Sequence, residues 1–209
     1  DGVETIIPRS KVDLYNEVCK KWEEITNLNL EHDSYKKLIL ADVNNYIGID
    51  DHGKAKCKGR FEFNNLALHK NKSKLIIPKA IYAYFVDGTL PEHTLKHNRN
   101  ILDYCIGGKS KGNWQQVARY IKNKEGYEDN LQKINRYFIS NKGVKIIKVN
   151  KTDKREIQLE SGRWMQTIFN DIKEKEWKDY DINEKYYLDA IEKEIDNIMG
   201  INTNQLLLF

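Results

Sequence analysis

Two histidines of this 209-residue chain have a spacing that could support metal chemistry. His93 and His97 lie in "EHTLKHNRN", four residues apart, so a helix would place them one turn apart on the same face. Such a pair can bind a metal ion or serve a metal-dependent nuclease. No glutamate lies between the two histidines, however, and the sequence identifies no third ligand. We therefore expect exposed helix histidines, with a nuclease as the least favoured alternative.

The cysteines do not form a recognisable site. Cys19, Cys57 and Cys105 are odd in number and far apart, which argues against a disulfide framework and against a Cys-x-x-Cys metal site. We expect buried or unreactive thiols. The sequence also has no glycine-rich phosphate loop before a helix and no nucleophile turn. A complete catalytic set is therefore not visible within this chain.

The charge is concentrated in the middle of the chain. Residues 52–155 contain 23 Lys or Arg against 8 Asp or Glu, a net charge of +15. The segments 1–51 and 156–209 have net charges of −5 and −6. A basic centre between acidic flanks indicates a polyanionic partner, most plausibly nucleic acid, although a solvated lysine-rich surface would have the same composition.

Helical and strand patterns alternate in the first half of the chain. "DGVETIIP" is typical of a strand, and "SKVDLYNEVCKKWEEIT" predicts an amphipathic helix with Ser10 and Asp13 as its N-cap and partner. "KLILADVNNYIGI" and "KAKCKGRFEF" flank "DDHG", which predicts an antiparallel hairpin turning at Gly53. Pro78 is expected to begin a helix that ends at Gly88, and Pro91 to begin another that runs to about Tyr104.

The second half is predicted to be a small β region followed by a helix. "RYFIS", "VKIIKV" and "REIQL" are typical of strands, with "NKG" as a hairpin turn between the first two. In "DINEKYYLDAIEKEIDNIM", an apolar face at helical spacing predicts a helix; its residues are Tyr187, Ile191, Glu194, Ile195 and Ile198. The whole order of elements predicts an α+β fold. We see neither a membrane-spanning run nor a signal peptide, so we expect a cytoplasmic protein.

The strand, helix and two following motifs resemble family B DNA polymerases of the phage type, from inside the catalytic palm motif onward. That family has Asp-Thr-Asp-Ser on a palm hairpin, and phage members read Asn-Thr-Asp-Gly, whose last two positions match Asp1-Gly2. The resemblance implies that Asp1 is a catalytic carboxylate that binds the two Mg²⁺ ions of the complete active site. The rest of this motif is then expected upstream of Asp1.

Two further motifs of the family follow in order. Its Lys-Lys-x-Tyr motif, which holds primer-template DNA, is similar to Val43-Asn44-Asn45-Tyr46, in which the tyrosine is kept and the lysines are absent. Asn44 and Asn45 could still hydrogen-bond to base edges or sugars. Lys-x-Lys-Gly is matched by Lys56-Cys57-Lys58-Gly59, with Arg60 next. Strand alternation would place Lys54, Lys56 and Lys58 on one face, where they could meet a phosphate backbone.

The resemblance extends loosely through the remaining chain as the thumb, which grips duplex DNA. It implies a partial palm of antiparallel strands with a packed helix at 1–75, a mixed helical and β thumb at 76–200, and a tail at 201–209. Candidate thumb contacts to DNA are Lys109, Lys111, Arg119, Lys133 and Arg136. The full-length protein would be a DNA-directed DNA polymerase that uses dNTPs in phage replication. This segment alone is expected to bind duplex DNA without extending a primer.

The chain ends in "QLLLF", which is similar to the Gln-Leu-x-Leu-Phe peptide with which bacterial replication proteins bind the sliding clamp. The resemblance implies that Gln205, Leu206, Leu208 and Phe209 bind a bacterial-type clamp in the cytoplasm of a bacterial host, with "GINTN" as a flexible leash. A tail folded back on the last helix is the alternative. A non-enzymatic DNA-binding accessory protein tethered to the clamp is the main functional alternative to a polymerase segment.

Overall fold

The protein is described by a computed structural model that covers residues 5–66, 73–122, 125–168 and 175–200. The chain forms two compact units, Asp1–Tyr35 and Lys36–Phe209. Helices and antiparallel sheets both occur, so the predicted α+β class is confirmed.

The first unit contains one long helix. The helix α1 runs over Val12–Thr26 after a short 3₁₀ turn at Arg9–Lys11, which confirms the helix predicted there. The predicted cap is wrong: Lys11 is the N-cap residue of α1, and its side chain makes no cap hydrogen bond to the helix. Ser10 belongs to that turn rather than to a cap.

The strand expected at the start of the chain is not found where the structure describes it. Thr5–Pro8 have no regular secondary structure, and no strand among the described residues pairs with them. A strand is held by hydrogen bonds to a neighbour, so an apolar run without one stays irregular. Residues 1–4 lie outside the described residues.

A three-stranded antiparallel sheet opens the second unit, in the order β1 (Lys37–Asp42), β2 (Asn45–Ile49) and β3 (Ala55–Cys57). The predicted hairpin around "DDHG" is confirmed as the β2–β3 connection, with Gly53 at a φ of +79°. Its first arm, however, is itself a hairpin, because the chain reverses between Asp42 and Asn45. An uninterrupted strand over this arm was therefore the wrong expectation.

Three short helices follow. The helix α2 covers Ile76–Tyr82 and continues through a π turn at Ala83–Asp87, ending at Gly88, whose φ of +70° confirms the predicted stop. A single helix from Pro91 to Tyr104 is wrong: α3 is Pro91–His97 and α4 is Ile101–Tyr104. The break occurs because the Asn100 side chain accepts the N–H of Leu102 and so starts a new helix.

The second sheet is built on one long strand. Its described strands run β4-β7-β5-β6, and β8 and β9 also pair with β7. The bounds are Ile106–Lys109 for β4, Trp114–Lys122 for β5, Glu125–Asn130 for β6, Ile134–Asn150 for β7, Glu156–Gln158 for β8 and Met165–Ile168 for β9. The first part of β7 pairs with β4 and β9, and its second part pairs with β5 and β8.

The hairpin turn predicted at "NKG" is wrong, because β7 continues through it. Met165 of β9 is the partner of both Ile139 and Val144, so the residues between them form an irregularity within one strand. Gly143 has a φ of +142°, and a Cβ atom there would lie closer than 3.0 Å to the carbonyl oxygen of Met165. The glycine therefore permits the close approach of β9 and does not reverse the chain.

The last helix completes the core of the second unit. The helix α5 runs over Glu184–Met199, as predicted, and buries Tyr187, Ile191 and Ile195. These side chains share one cluster with Ile47 of the first sheet and with Phe61 of the 3₁₀ turn at Gly59–Phe61 that follows it. Apolar burial of this extent is the main stabilising contribution to the unit.

The core continues across the boundary that the resemblance placed between residues 75 and 76. Ile39 and Ile47 on one side of it, and Ile76 and Ile81 on the other, belong to the same buried cluster. The division into palm and thumb stays a prediction.

Candidate nucleic-acid interface

The three lysines around β3 lie on one exposed face, together with Tyr46. Lys56 is the register partner of Gly48, and the N–H of Lys58 donates to the Tyr46 carbonyl at 2.9 Å. Lys54, Lys56 and Lys58 are exposed, whereas the intervening Ala55 and Cys57 are partly buried against the core. Directly opposed residues share a face of an antiparallel sheet. We call Tyr46, Lys54, Lys56 and Lys58 the lysine face.

Asn45 stabilises the β1–β2 turn beside this face through hydrogen bonds of its side chain. Its amide nitrogen donates to both carboxylate oxygens of Asp42, at 2.7 and 2.9 Å. Its amide oxygen accepts the N–H of Arg60 at 2.8 Å, fifteen residues along the chain. Asn45 thus ties the β1–β2 turn to the end of the lysine strand, a structural role in addition to the DNA contact predicted for it. Asn44 is exposed, and only its backbone N–H bonds to Asp42.

Asp42 is the member of this turn that sequence reasoning missed. Hydrogen bonds from the Asn45 side chain and the Asn44 N–H hold the pKa of the Asp42 carboxyl below its usual value. An Asp followed two and three residues later by Asn is a turn pattern, because Asp bonds readily to backbone N–H groups just ahead of it. That signal was available within "ADVNNY".

Gly59 joins the two motifs of the polymerase resemblance. It has a φ of +63°, and a Cβ atom would lie closer than 3.0 Å to the Asn44 carbonyl oxygen and to the Asn45 amide oxygen. Both the backbone conformation and the lack of space require glycine. The turn at residues 43–46 and the strand at residues 56–59 therefore form one packed unit, although they are separate in sequence.

The Arg60 side chain makes contacts within the protein. Its guanidinium lies 2.6 Å from the Glu194 carboxylate on α5 and 5.5 Å over the Phe61 ring. The side chain is about half exposed, so a further contact is sterically open, but its charge is already paired. Arg60 thus links the lysine strand to the last helix.

A second basic group lies on β4 and β7. Lys109 is the partner of Ile134, and Arg136 is the partner of Gly107, so both side chains lie on the same exposed face. The N–H of Ser110 donates to the Lys133 carbonyl at 2.8 Å, which brings the exposed Lys111 and Lys133 into neighbouring turns. The structure therefore gathers four of the five predicted thumb contacts.

Arg119 differs from those four. Its guanidinium donates to both oxygens of Glu156, at 3.1 and 2.7 Å, and also to Glu128 at 2.6 Å. These carboxylates, Glu156 first, raise the pKa of Arg119 above its ordinary value. A guanidinium held by two carboxylates has little charge left for a phosphate, so Arg119 acts mainly as a link between β5, β6 and β8.

The histidine pair lies on one short helix. The rings of His93 and His97 are 4.0 Å apart at the end of α3, and Nδ1 of His97 lies 2.8 Å from the His93 carbonyl oxygen. Within the described ranges, no group of three or more His, Cys, Asp or Glu side chains could hold a metal ion.

The thiols of Cys57 and Cys105 are held in their neutral form. Burial raises the pKa of Cys105 to about 12 and that of Cys57 to about 11. Cys19 and Cys105 are buried, and none of the three cysteines is in a disulfide. Of the thiols expected to be buried or unreactive, Cys19 and Cys105 are thus buried, whereas Cys57 is half-buried.

Two predicted sites lie outside the described residues. These are the catalytic and metal-binding Asp1, and the clamp-binding Gln205, Leu206, Leu208 and Phe209. Both stay predictions from the sequence.

No protein-family model, curated protein or solved structure matches this chain. The polymerase resemblance therefore rests on the motifs themselves. Among the helices that the structure describes, none is long and apolar enough to cross a membrane.

Proposed function

We propose that this chain is the C-terminal palm and thumb segment of a phage-type family B DNA-directed DNA polymerase, and that its lysine face binds primer-template duplex DNA. The observation that supports this most strongly is the joining of the two motifs through Gly59, with Tyr46 and the lysines on one face. Neither motif alone would predict that arrangement.

The geometry of the lysine face suits a regular polyanion. Alternate residues of a strand are about 7 Å apart, so Lys54, Lys56 and Lys58 form a straight row of charges. Lysines that neutralise phosphates release condensed counterions, which favours binding to any sequence of duplex DNA. The β4–β7 basic group, with Lys109 and Arg136, offers a second region for backbone contacts.

The catalytic part of the proposal concerns the full-length enzyme. Asp1 would bind the two Mg²⁺ ions there, and these would activate the primer 3′-hydroxyl and stabilise the leaving pyrophosphate of a dNTP. The described residues supply no metal site of their own. Residues 205–209 would attach the enzyme to a bacterial-type sliding clamp, where tethering adds to the DNA grip through effective concentration. The setting would be phage DNA replication in the bacterial cytoplasm.

The test is the salt dependence of duplex binding in Lys56→Ala/Lys58→Ala. Each lost phosphate contact should reduce the magnitude of the negative slope of log K against log salt by about 0.9, and two lost contacts by about 1.8. Affinity should fall to a similar extent for all duplex sequences, because phosphate contacts do not distinguish bases. Fluorescence anisotropy with labelled duplexes at several salt concentrations measures both quantities.

Lys193→Ala is the matched control for this test, since Lys193 is an exposed lysine on α5. It should leave the slope unchanged. If the double variant has the slope of the unmodified chain, the lysine face does not bind DNA and the proposal is wrong.

A further inference from the structure

A surface cavity of about 470 Å³ lies at the irregularity of β7, apart from all the residues discussed above as DNA contacts. The irregular part of β7, the turn before β9 and the residue preceding α5 form its wall. We call it the Trp164 pocket. Its lining residues are Ser140, Asn141, Lys145, Ser161, Gly162, Arg163, Trp164 and Asn183.

Two cations, Lys145 and Arg163, line the pocket. Lys145 donates to the Gly162 carbonyl and lies 3.9 Å from the centre of the Trp164 ring. Arg163 lies 4.9 Å over the Tyr186 ring. Within the described ranges, neither forms an ion pair with a carboxylate. The pocket should therefore attract an anion.

The nearest acidic groups are engaged elsewhere. Glu160 accepts hydrogen bonds from Lys74 at 3.0 Å and from the Tyr186 hydroxyl at 2.8 Å. Asp181 accepts one from the Asn141 amide at 3.1 Å and lies 3.7 Å from Lys142. Glu160 is paired with Lys74, and Asp181 lies beside Lys142, so each carboxylate is offset by a cation other than Lys145 or Arg163.

The turn that lines the pocket is held in an unfavourable conformation. Glu160 and Ser161 have φ values of +46° and +53°, and Gly162 follows at +68°. Consecutive left-handed residues other than glycine are strained, and such strain is concentrated at functional sites. The Glu160 contacts and the Lys145 bond to Gly162 fix this turn, so a ligand would meet a preorganised wall.

The indole of Trp164 gives the pocket a flat apolar surface beside the cations. Trp164 is 38% exposed, with Lys145 over one ring face. Nucleobases stack on exposed aromatic side chains, so the indole can receive a base beside a phosphate bound by the cations.

We propose that the Trp164 pocket binds one nucleotide unit of single-stranded nucleic acid. Its phosphate is bound by Lys145 and Arg163, and its base stacks on the exposed part of the Trp164 ring. The Ser161 hydroxyl and the Asn141 amide oxygen are available for further hydrogen bonds, whereas the Asn141 amide nitrogen already donates to Asp181 and to the Ile182 carbonyl. This site goes beyond the proposed function, in which duplex DNA lies on the lysine face.

The experiment titrates the full chain with the dinucleotide d(TpT) and follows the indole N–H signals by NMR, with Trp164 assigned from Trp164→Ala. We expect a saturable shift of the Trp164 signal. Arg163→Gln should weaken binding at least fivefold, and Lys193→Gln should leave it unchanged. Thymidine and inorganic phosphate, each alone, should bind at least fivefold more weakly than d(TpT).

Three results would overturn the inference: no saturable shift of the Trp164 signal, equal affinity in Arg163→Gln, or equal affinity for inorganic phosphate alone. Unchanged thermal unfolding of Arg163→Gln shows that its loss of binding is local. Lys56→Ala/Lys58→Ala separates this site from the duplex site, because it should bind d(TpT) normally while losing affinity for duplex DNA. The experiment can therefore detect the failure of one proposal independently of the failure of the other.

Discussion

Gly59→Ala is expected to lower the free energy of unfolding by about 3 kcal/mol, of which about 1–2 kcal/mol comes from the left-handed backbone and the rest from crowding. The φ of +63° is unfavourable for any residue with a Cβ atom. The alanine Cβ atom at this position would also clash with the Asn44 carbonyl oxygen and the Asn45 amide oxygen. Backbone oxygen atoms cannot move aside as the end of a flexible side chain can. Urea unfolding followed by circular dichroism measures the change.

Gly53→Ala provides a matched control for this variant. Gly53 also has a positive φ, +79°, but no atom lies within 4 Å of the position its Cβ would take. The decrease in the free energy of unfolding of Gly53→Ala should be limited to the backbone penalty of about 1–2 kcal/mol. If the two alanine variants lose the same free energy, Gly59 does not bind the two motifs together as described above.

Tyr187→Phe is expected to cost about 2–4 kcal/mol, because it leaves two buried backbone groups without a partner. The Tyr187 hydroxyl donates to the Tyr104 carbonyl at 2.8 Å and accepts the Ile139 N–H at 3.0 Å. The residue is fully buried, and burial raises the pKa of its hydroxyl well above the ordinary value. No water can therefore replace the lost oxygen without opening the core.

Tyr127→Phe, the same change at an exposed tyrosine, is the control. It separates the effect of losing buried hydrogen bonds from the effect of removing a hydroxyl group as such. The Tyr127 hydroxyl donates to Glu125 at the exposed strand β6. Tyr127→Phe should change stability by no more than about 0.5 kcal/mol. A Tyr187→Phe variant as stable as Tyr127→Phe would show that this hydroxyl does not join α4, β7 and α5.

The sequence predicted well those elements that are specified by local signals. The helix α5 follows from an apolar face at helical spacing, and the β2–β3 turn follows from Gly53 between two apolar runs. The alternation of lysines along β3 was predictable for the same reason, because a strand repeats every second residue. In each case the residues that decide the structure are close neighbours in the chain.

The errors came from contacts between residues far apart in the chain. The "NKG" segment has the composition of a turn, but Gly143 serves the approach of Met165, 22 residues later. The contact between Arg119 and Glu156, 37 residues away, was likewise not predictable. Nor was the hydrogen bond from the Arg60 N–H to the Asn45 amide oxygen, although the DNA contacts expected of Arg119 and Asn45 stay predictions. No local pattern reports such partners.

The lysine face can be tested most directly by measuring how fast its lysines are acetylated with and without a saturating duplex, by mass spectrometry. We expect bound DNA to slow the labelling of Lys54, Lys56 and Lys58 at least fivefold, because phosphates would cover their amino groups. The exposed Lys193 should react at the same rate in both conditions. Equal labelling of the three lysines with and without bound duplex would contradict the proposed DNA-binding role of this face.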